Sequence, residues 1–399
     1  MMLATQATTV DMAGHGRPCG LMRVLHVVAA LNRGGAETWL VDVLRRTDRT
    51  QFQVDVLTQG DHPAALDDAV RATGASIIPG PATKRPWSYG ARFRQLMRDH
   101  GPYDAVHVHM HHFSGLVLRS AAQAGIPVRI VHSHSDTRGI DSRAHAARRV
   151  YLRLSERWVR QYSTRGLAVS RHAAASLFGE QWESDPRISV IYCGIDLKKF
   201  TGPSIGRAAY RTRLGVPPDA RVFGHIGRFA EPKNHVFLIE IFKEIAVLEP
   251  DAWFVLAGDG PLRTQIQAGL ERAGISCHTL LLGMRSDVPE ILTGLIDTLV
   301  FPSLWEGLPI TLIESQAAGV PALSSDAVTE ESVEVASLVR RLSLRKPAAE
   351  WAREAIWMAK GIGTVPDRKR LEGSRFDIQS CVSRLQEIYR SVRISGVQQ

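Results

Sequence analysis

Short apolar runs alternate with longer segments of helical period along almost the whole chain, and this alternation restricts the possible folds. Most runs are continuous stretches of Val, Ile and Leu, which indicate strands buried on both faces of a parallel sheet. Strand–helix–strand units in two successive blocks predict two doubly wound α/β domains. The twelve predicted strands cover residues 23–29, 53–57, 76–79, 104–109, 128–132, 166–170, 188–192, 222–226, 253–257, 279–282, 298–302 and 321–324.

The chain of 399 residues is long enough for two such domains. The turn-rich segment 194–206 separates the two blocks of strands, so we expect an N-terminal domain over residues 22–197 and a C-terminal domain over 198–375. Apolar residues of helical period predict a helix within 376–399, which we expect to pack back towards the N-terminal domain. Residues 1–21 are expected to form a mobile tail.

Composition excludes several classes of protein. Hydrophobic residues make up 44% of the chain and charged residues 22%, which excludes wholesale disorder. The four cysteines lie far apart without paired spacing, so neither a disulfide framework nor a cysteine zinc site is expected. Apolar runs fall short of a membrane span, and the first residues lack the apolar core of a secretory signal. We therefore expect a cytoplasmic protein.

The net charge of +9 arises entirely in the first half, where residues 1–200 hold 26 basic and 17 acidic side chains. Within that half, Arg149, Arg153, Arg157 and Arg160 recur along one face of a predicted helix. One interpretation is a solvated helix face, and the other is a surface that contacts anionic lipid on the inner face of the plasma membrane. No nucleic-acid-binding motif accompanies the basic residues, so we expect no nucleic acid partner.

The first predicted strand ends in a glycine pair, Gly34 and Gly35, followed by a helix. Glycines let the backbone approach a ligand closely, and a helix N-terminus offers free N–H groups to an anion. A plain tight turn explains the pair equally well. The Gly-x-Gly-x-x-Gly fingerprint is absent, which argues against a nicotinamide enzyme.

Two cations follow the first strand of the second half. Arg228 and Lys233 lie five residues apart, after a glycine turn and at a predicted helix start. A guanidinium can contact a phosphate with two N–H groups, and an ammonium adds a point charge. The alternative is a pair of solvated surface cations. Their place in a loop at a strand end favours a clamp for a diphosphate.

Two glutamates lie eight residues apart in the second half. Glu306 stands in the turn Glu306-Gly307-Leu308-Pro309 after a strand, and Glu314 lies about two turns into the next helix. Carboxylates at this spacing suit a ligand with hydroxyls at both ends, such as a nucleotide sugar. The alternative is a helix that favours acid near its N-terminus through its dipole, which does not require the Glu-Gly-Leu-Pro turn.

Together these motifs resemble glycosyltransferase family 4, and most closely its branch that builds bacterial exopolysaccharides. The motifs that carry the resemblance, in order and at family spacing, are Gly34-Gly35-Ala36-Glu37, Gly227-Arg228-Phe229 with Lys233, Gly258-Asp259-Gly260, and the segment from Glu306 to Glu314. The resemblance implies the GT-B fold, in which two Rossmann-like domains face a central cleft. It also implies a nucleotide-sugar donor held mainly by the C-terminal domain, retention of anomeric configuration, and no metal or other cofactor.

Carried over residue by residue, the resemblance assigns the sugar-donor site. Glu314 would accept hydrogen bonds from the ribose, and Glu306 would act as a catalytic residue that contacts the sugar. The remaining roles are sugar contacts by Gly307 and Leu308, and contacts with the diphosphate by Arg228, Lys233, Gly34 and Gly35.

Eight of the 15 histidines lie between His100 and His145. The resemblance places a catalytic histidine near the donor sugar, for which His132 and His134 are the candidates and His134 is preferred. His109 and His111 are candidates for the acceptor side of the cleft. A histidine metal site is an alternative, but no paired Cys or carboxylate completes a ligand set, so we favour polar residues that line the cleft.

The resemblance thus implies a retaining hexosyltransferase that moves a sugar from a nucleotide sugar, with UDP-sugar favoured, to a lipid-linked glycan acceptor in exopolysaccharide or cell-surface polysaccharide synthesis. One alternative is a GDP-mannose-dependent mannosyltransferase. Another is a non-catalytic GT-B protein that only binds nucleotide.

Overall fold

The computed structural model describes residues 21–361 and 370–396, with side chains up to Ser391. Residues 1–20 of the expected tail and residues 397–399 of the expected C-terminal segment lie outside this part of the chain. Thirteen described strands form two sheets in which all strand pairs are parallel. The fold is therefore α/β, as the alternating sequence pattern predicts.

The first sheet has the strand order β3-β2-β1-β4-β5-β6-β7. Its strands are β1 (Met22–Val27), β2 (Phe52–Gln59), β3 (Ser76–Gly80), β4 (Ala105–Val108), β5 (Val128–Ser133), β6 (Arg165–Ala168) and β7 (Ile188–Val190). The second sheet has the order β10-β9-β8-β11-β12-β13. Its strands are β8 (Val222–Ile226), β9 (Trp253–Ala257), β10 (Thr279–Gly283), β11 (Thr298–Phe301), β12 (Ala322–Ser325) and β13 (Val339–Leu342).

Helices connect the strands and cover both faces of each sheet. Those of the first half are α1 (Gly35–Arg46), α2 (Asp67–Arg71), α3 (Pro86–His100), α4 (Ser114–Gln123), α5 (Arg138–Asp141), α6 (Ala146–Tyr162) and α7 (Arg171–Phe178). Those of the second half are α8 (Arg207–Arg213), α9 (His235–Leu248), α10 (Arg263–Arg272), α11 (Val288–Gly294), α12 (Ile310–Ala318), α13 (Ala348–Lys360) and α14 (Ile378–Gly396).

Twelve of the thirteen strands coincide with the sequence prediction, within a few residues at their ends. The exception is β13, which the sequence prediction missed. This strand lies at the edge of its sheet and reads Val339-Arg340-Arg341-Leu342, with Arg340 exposed. An edge strand need not be buried on both faces, and β13 lacks the continuous apolar run by which most of the other strands were recognised.

In each sheet, the direction in which successive strands are added reverses at a central pair of strands. This pair is β1 beside β4 in the first sheet and β8 beside β11 in the second. In doubly wound sheets, ligands bind outside the carboxyl ends of the strands at such a switch point. Each half of the chain therefore offers one binding edge. The loops after β1 and β4 form the first edge, and those after β8 and β11 form the second.

The last helix, α14, returns to the first sheet. The Nε1 group of Trp39 on α1 donates to the Sγ of Cys381 at 3.4 Å, and Arg390 donates to the side-chain oxygen of Gln51. Tyr389 is buried against Phe52, the first residue of β2. The C-terminal segment therefore becomes part of the packing around the N-terminal sheet.

Candidate active site

The carboxyl ends of the two sheets meet, and two glycines occupy the closest approaches. A Cβ atom at Gly35 would lie 2.9 Å from the Cδ1 of Ile310, where α1 meets the start of α12. At Gly307 a Cβ would overlap the carbonyl oxygen of His134, across the cleft. The hydroxyl of Ser170 donates to the carbonyl oxygen of Gly307 and fixes that loop against the N-terminal half. A residue larger than glycine at position 307 would require the backbone to shift, whereas a Cβ at position 35 would require the end of the Ile310 side chain to move.

The loops after β8 and β11 meet through an ion pair. The Nζ of Lys233 lies 2.6 Å from the Oε1 of Glu306, with side-chain exposures of 16% and 13%. The same ammonium lies 4.8 Å from the centroid of the Phe301 ring, at the end of β11. Two of the residues predicted to contact the sugar donor are thus brought together and hold each other in position. Gly307 and Leu308, which follow Glu306, are buried.

Arg228 is exposed at the cleft, and its charge acts on a residue of the opposite domain. Burial raises the pKa of Glu37 on α1, while a hydrogen bond to its own backbone and the charge of Arg228 lower it. The carboxyl of Glu37 and the guanidinium of Arg228 therefore interact across the gap between the domains. Glu37 belongs to the Gly-Gly-Ala-Glu motif, but the sequence analysis gave it no role of its own.

Glu314 lies on the second turn of α12 and is only partly exposed. Burial raises its pKa to about 7, with the nearby Asp42 raising it further and the nearby Lys199 opposing the shift. The Nζ of Lys199 lies 2.8 Å from both carboxylate oxygens of Asp42, so this lysine is already paired. The two predicted glutamates therefore differ. Glu306 forms an ion pair with Lys233, whereas Lys199, the lysine near Glu314, is paired with Asp42.

Five histidines and one tyrosine form a buried network beneath the N-terminal edge, which we call the histidine cluster. It comprises His26 of β1, His107 of β4, His109 after β4, His132 of β5, His134 after β5, and Tyr389 of α14. These histidines alternate along neighbouring parallel strands, so their side chains share one face of the sheet. Trp39 of α1 packs on the same face, with its ring 5.4 Å from those of His132 and His134.

Hydrogen bonds connect the cluster into one chain. One arm runs from His134 Nε2 to His109 Nδ1 at 2.8 Å, and from His109 Nε2 to His26 Nδ1 at 2.9 Å. The Tyr389 hydroxyl lies 3.3 Å from His26 Nε2 and 2.7 Å from His107 Nδ1. The other arm continues from His107 Nε2 to His132 Nδ1 at 3.2 Å. Tyr389 thus joins the two arms.

Burial determines the charge of these imidazoles. It lowers the pKa of His26 and of His134 to about 3 each, and it lowers the pKa values of His107, His109 and His132 well below their usual range. Mutual repulsion between the protonated forms adds to the effect. The five side chains are therefore neutral near pH 7, when each ring has one N–H donor and one acceptor.

The geometry separates the two candidates for the cleft histidine. His132 is fully buried within β5, whereas His134 is partly exposed after the strand, and its carbonyl faces Gly307. This position favours His134. The acceptor-side candidates also differ, because His109 uses both nitrogens within the histidine cluster. His111 is partly exposed, and its Nε2 lies 3.2 Å from the carbonyl oxygen of Ser135.

Several residues that contribute to this region were not predicted from the sequence. His26, Glu37 and Tyr389 were given no role. His26 forms a hydrogen bond with the predicted residue His109, and Glu37 interacts with the charge of Arg228. Tyr389 contacts His26 and His107 of the histidine cluster. A polar residue in the middle of the apolar run Val24-Leu25-His26-Val27 was a signal that could have drawn attention to His26. Tyr389 had no such signal, since an apolar stripe on a helix accommodates tyrosine as well as leucine.

Comparison with known proteins agrees with this architecture. A family model described as Glycosyltransferase Family 4 matches residues 33–199, and one described as Glycosyl transferases group 1 matches residues 206–360. The chain is 32% identical over 375 residues to a putative glycosyltransferase, EpsF, of Bacillus subtilis, covering 92% of this chain and 96% of that protein. It is 29% identical over 319 residues to a UDP-Gal:alpha-D-GlcNAc-diphosphoundecaprenol alpha-1,3-galactosyltransferase of Escherichia coli, covering 76% and 79%.

Among solved structures, the crystal structure of Anabaena HepE in complex with UDP-glucose aligns with a TM-score of 0.76 at 18% identity, covering 93% of this chain and all of that one. WaaG, a glycosyltransferase of lipopolysaccharide biosynthesis, aligns with a TM-score of 0.65 at 18% identity, covering 94% and 95%. Structural similarity at 18% sequence identity establishes the fold. The two family models together with the EpsF relative establish the family. The two parallel sheets are the Rossmann-like halves of a GT-B fold, and the chain belongs to glycosyltransferase family 4.

Proposed function

We propose that the protein is a retaining hexosyltransferase that transfers a sugar from a UDP-sugar to a lipid-linked glycan in the synthesis of exopolysaccharide or another cell-surface polysaccharide. The observation that carries the proposal is the meeting of Lys233 and Glu306 at the switch point of the C-terminal sheet, with Glu314 on the second turn of α12. This arrangement offers a cation, a carboxylate beside it and a second carboxylate farther along one helix.

The proposed site would act on the sugar donor mainly through charge. Lys233 and Arg228 would face the diphosphate and stabilise the negative charge that develops when the glycosidic bond breaks. Glu314 would accept hydrogen bonds from the ribose hydroxyls, while Glu306 and the backbone of Gly307 would contact the sugar. Since these cations come from the protein, we expect the transfer step to need no metal. The acceptor would attack on the face that the leaving phosphate vacates, so the anomeric configuration would be retained.

We favour UDP over GDP because of the donors named for two related proteins. The Escherichia coli relative is named for a UDP-galactose donor, and the solved structure of HepE contains UDP-glucose. The carboxylate of Glu314 can accept hydrogen bonds from the ribose of either nucleotide, so the described contacts do not discriminate between them. A GDP-mannose-dependent mannosyltransferase and a nucleotide-binding protein without transfer remain the alternatives that the experiment below must separate.

We favour a lipid-linked acceptor because of the Escherichia coli relative and because of the exposed surface of helix α6. Helix α6 packs through Leu152, Ser155 and Val159, and leaves Val150 and Leu154 at the surface. Val150 is 64% exposed and Leu154 is 41% exposed, among the arginines of the helix. Apolar side chains interleaved with cations suit the headgroup region of an anionic membrane. We propose that α6 contacts the membrane that contains the acceptor.

No helix in residues 21–361 and 370–396 is both long and apolar enough to cross a membrane. The proposed contact is therefore one in which α6 lies on the lipid surface. Trp87, at the start of α3, is 81% exposed and adds a further exposed apolar side chain on the N-terminal half. Helices α3 and α6 both pack on α4, which places them on the same side of the first sheet.

The test combines nucleotide binding with transfer. The full chain is first titrated with UDP and GDP, and then incubated with labelled UDP-hexoses or GDP-mannose and lipid-diphosphate-linked acceptors, followed by analysis of the product's anomeric configuration. We expect binding of UDP and transfer with retention, with the transfer rate lower by about 10²–10³-fold in Lys233→Ala. Preference for GDP would support the mannosyltransferase, and binding without transfer to any acceptor would support the non-catalytic alternative. An inverted product would contradict the retaining mechanism.

A further inference from the structure

Three imidazoles of the histidine cluster converge on one point. His26 and His107 are paired residues of the adjacent strands β1 and β4, and His109 lies two residues farther along on the same face. Their ring centroids are 4.9 Å (His26–His107), 4.3 Å (His107–His109) and 5.2 Å (His26–His109) apart. One nitrogen from each ring lies within 4.8 Å of the other two. The sheet itself fixes this spacing, since all three residues are anchored by parallel strand pairing or lie directly after it.

The spacing suits a small cation with imidazole ligands. Zinc–nitrogen bonds of about 2.0–2.1 Å in a tetrahedral site place the ligand nitrogens roughly 3.3 Å apart. His26 Nδ1 and His109 Nε2 are 2.9 Å apart in a hydrogen bond, and His107 Nε2 lies 3.2 Å from His132 Nδ1. Zinc would replace both hydrogen bonds, and the rings would move outward to admit the ion.

The nitrogens that point away from this centre already have partners. His26 Nε2 and His107 Nδ1 both face the hydroxyl of Tyr389, and His109 Nδ1 faces His134 Nε2. Histidines that bind a metal almost always donate their other N–H to an acceptor, which fixes the ring orientation. A hydroxyl can accept two hydrogen bonds and His134 can accept one, so all three ligands would be oriented from behind.

We propose that His26, His107 and His109 bind a zinc ion beneath the cleft of the N-terminal domain. Imidazole nitrogen is a preferred ligand of zinc, and three histidines with a water molecule in the fourth position form a tetrahedral zinc site. The ion would hold β1 and β4 together behind His134 and would anchor α14 through Tyr389. It would not contact the sugar donor, so transfer would remain independent of added metal. The competing explanation is that the histidine cluster is held by hydrogen bonds alone.

The proposal departs from the expectation, drawn from the sequence, that these histidines only line the cleft. His107 and His109 alone do not make a ligand set, and no neighbouring residue in the sequence completes one. The third ligand, His26, stands 81 positions before His107, and only the pairing of β1 with β4 brings them together.

Zinc content provides the test. The untagged full chain is loaded with zinc, dialysed against metal-free buffer containing a weak chelator, and analysed for zinc per chain by mass spectrometry. The variants are His26→Gln, His109→Gln and, as a matched control, His62→Gln, an exposed histidine of the same domain. We expect one zinc ion per chain in the wild type and in His62→Gln, and none in the other two. Because His26 is buried and its variant can misfold, the partly exposed His109 provides the decisive comparison.

Thermal unfolding gives a second readout that does not depend on activity. An ion that binds only the native state raises the unfolding midpoint, so zinc should stabilise the wild type and His62→Gln but not His109→Gln. A wild type that retains no zinc after dialysis would overturn the proposal and leave hydrogen bonding as the explanation. Retention of zinc by His109→Gln, or its loss from His62→Gln, would also overturn it. None of these outcomes bears on whether the chain transfers a sugar from UDP.

Discussion

The ammonium of Lys233 lies 2.6 Å from the carboxylate of Glu306, and the pair joins the loops after β8 and β11. Both side chains are mostly buried, so neither charge is well hydrated without the other. A ligand phosphate that approached Lys233 would compete with Glu306 for the ammonium. The ion pair therefore keeps the cation in place before the sugar donor arrives, and binding of the donor would redistribute its hydrogen bonds.

We expect that Lys233→Ala and Glu306→Ala each lower the rate of sugar transfer by about 10²–10³-fold, since each removes a group aimed at charge that develops in the reaction. Circular dichroism should show an intact fold in both. A suitable control is Lys346→Ala, which breaks the more exposed ion pair between Lys346 and Glu350 in the same domain. Steady-state rates provide the measurement. Near-normal turnover by either site variant would remove that residue from the proposed site.

The pKa of Glu314 makes stability depend on pH. Its folded-state pKa of about 7 exceeds the usual 4.5, so the folded protein retains a proton that the unfolded chain has lost. Stability should therefore fall as the pH rises from about 4.5 to about 7, by at most ~3 kcal/mol, and change little above that range. The amide side chain of Glu314→Gln does not titrate, so the free energy of unfolding of this variant should change less with pH. Urea unfolding of the ligand-free protein at several pH values provides the measurement.

The same carboxyl should couple nucleotide binding to pH. Hydrogen bonds from ribose hydroxyls favour the charged carboxylate, so UDP must displace a proton when it binds below pH 7. We expect the affinity for UDP to increase between pH 6 and pH 8 in the wild type and to remain nearly constant in Glu314→Gln. Isothermal titration in buffers of different ionisation enthalpy would detect the released proton. Identical pH profiles for the two proteins would show that Glu314 does not contact the nucleotide in this way.

Gly307 provides a test of the contact between the domains. A Cβ at this position would overlap the carbonyl oxygen of His134, so the loop or the domain must shift. A shift of about 1 Å at a reacting centre can cost as much as 10²-fold in rate, so Gly307→Ala should lower kcat/KM at least tenfold. At Gly361, where the nearest atom is 3.7 Å away, the same substitution should have no effect on kcat/KM. Equal rates for the two variants would show that the close approach is not needed for transfer.

The exposed apolar side chains of α6 provide a test of membrane contact. The double variant Val150→Glu/Leu154→Glu should bind anionic vesicles at least tenfold more weakly, because it removes apolar contact and adds repulsion at about 1 kcal/mol per charge. Val236→Glu is the control, since Val236 is 74% exposed on α9 of the other domain. Vesicle flotation at low salt provides the measurement. Equal binding of the wild type to neutral and anionic vesicles would contradict the proposed lipid surface.

The fold and the sugar-donor motifs could be predicted from the sequence because their signals are local. A strand buried on both faces needs a continuous apolar run, and most of the twelve predicted strands have one. The glycines, cations and glutamates of 227–233 and 306–314 lie within single strand–loop–helix segments, so their spacing along the chain indicates their spacing in space. The edge strand β13 has no such run, and the prediction missed it.

Tertiary structure decided what depends on distant pairing. Only the pairing of β1 with β4 and the return of α14 bring His26, His107 and Tyr389 into one cluster, across 363 positions of sequence between the outer two. Only packing decided that α6 buries Leu152 and Val159 and exposes Val150 and Leu154. A helical period shows that a helix has an apolar face, but the neighbouring elements determine which apolar residues they cover. Sequence alone therefore determined the architecture and the motifs, and tertiary contacts determined the network around them.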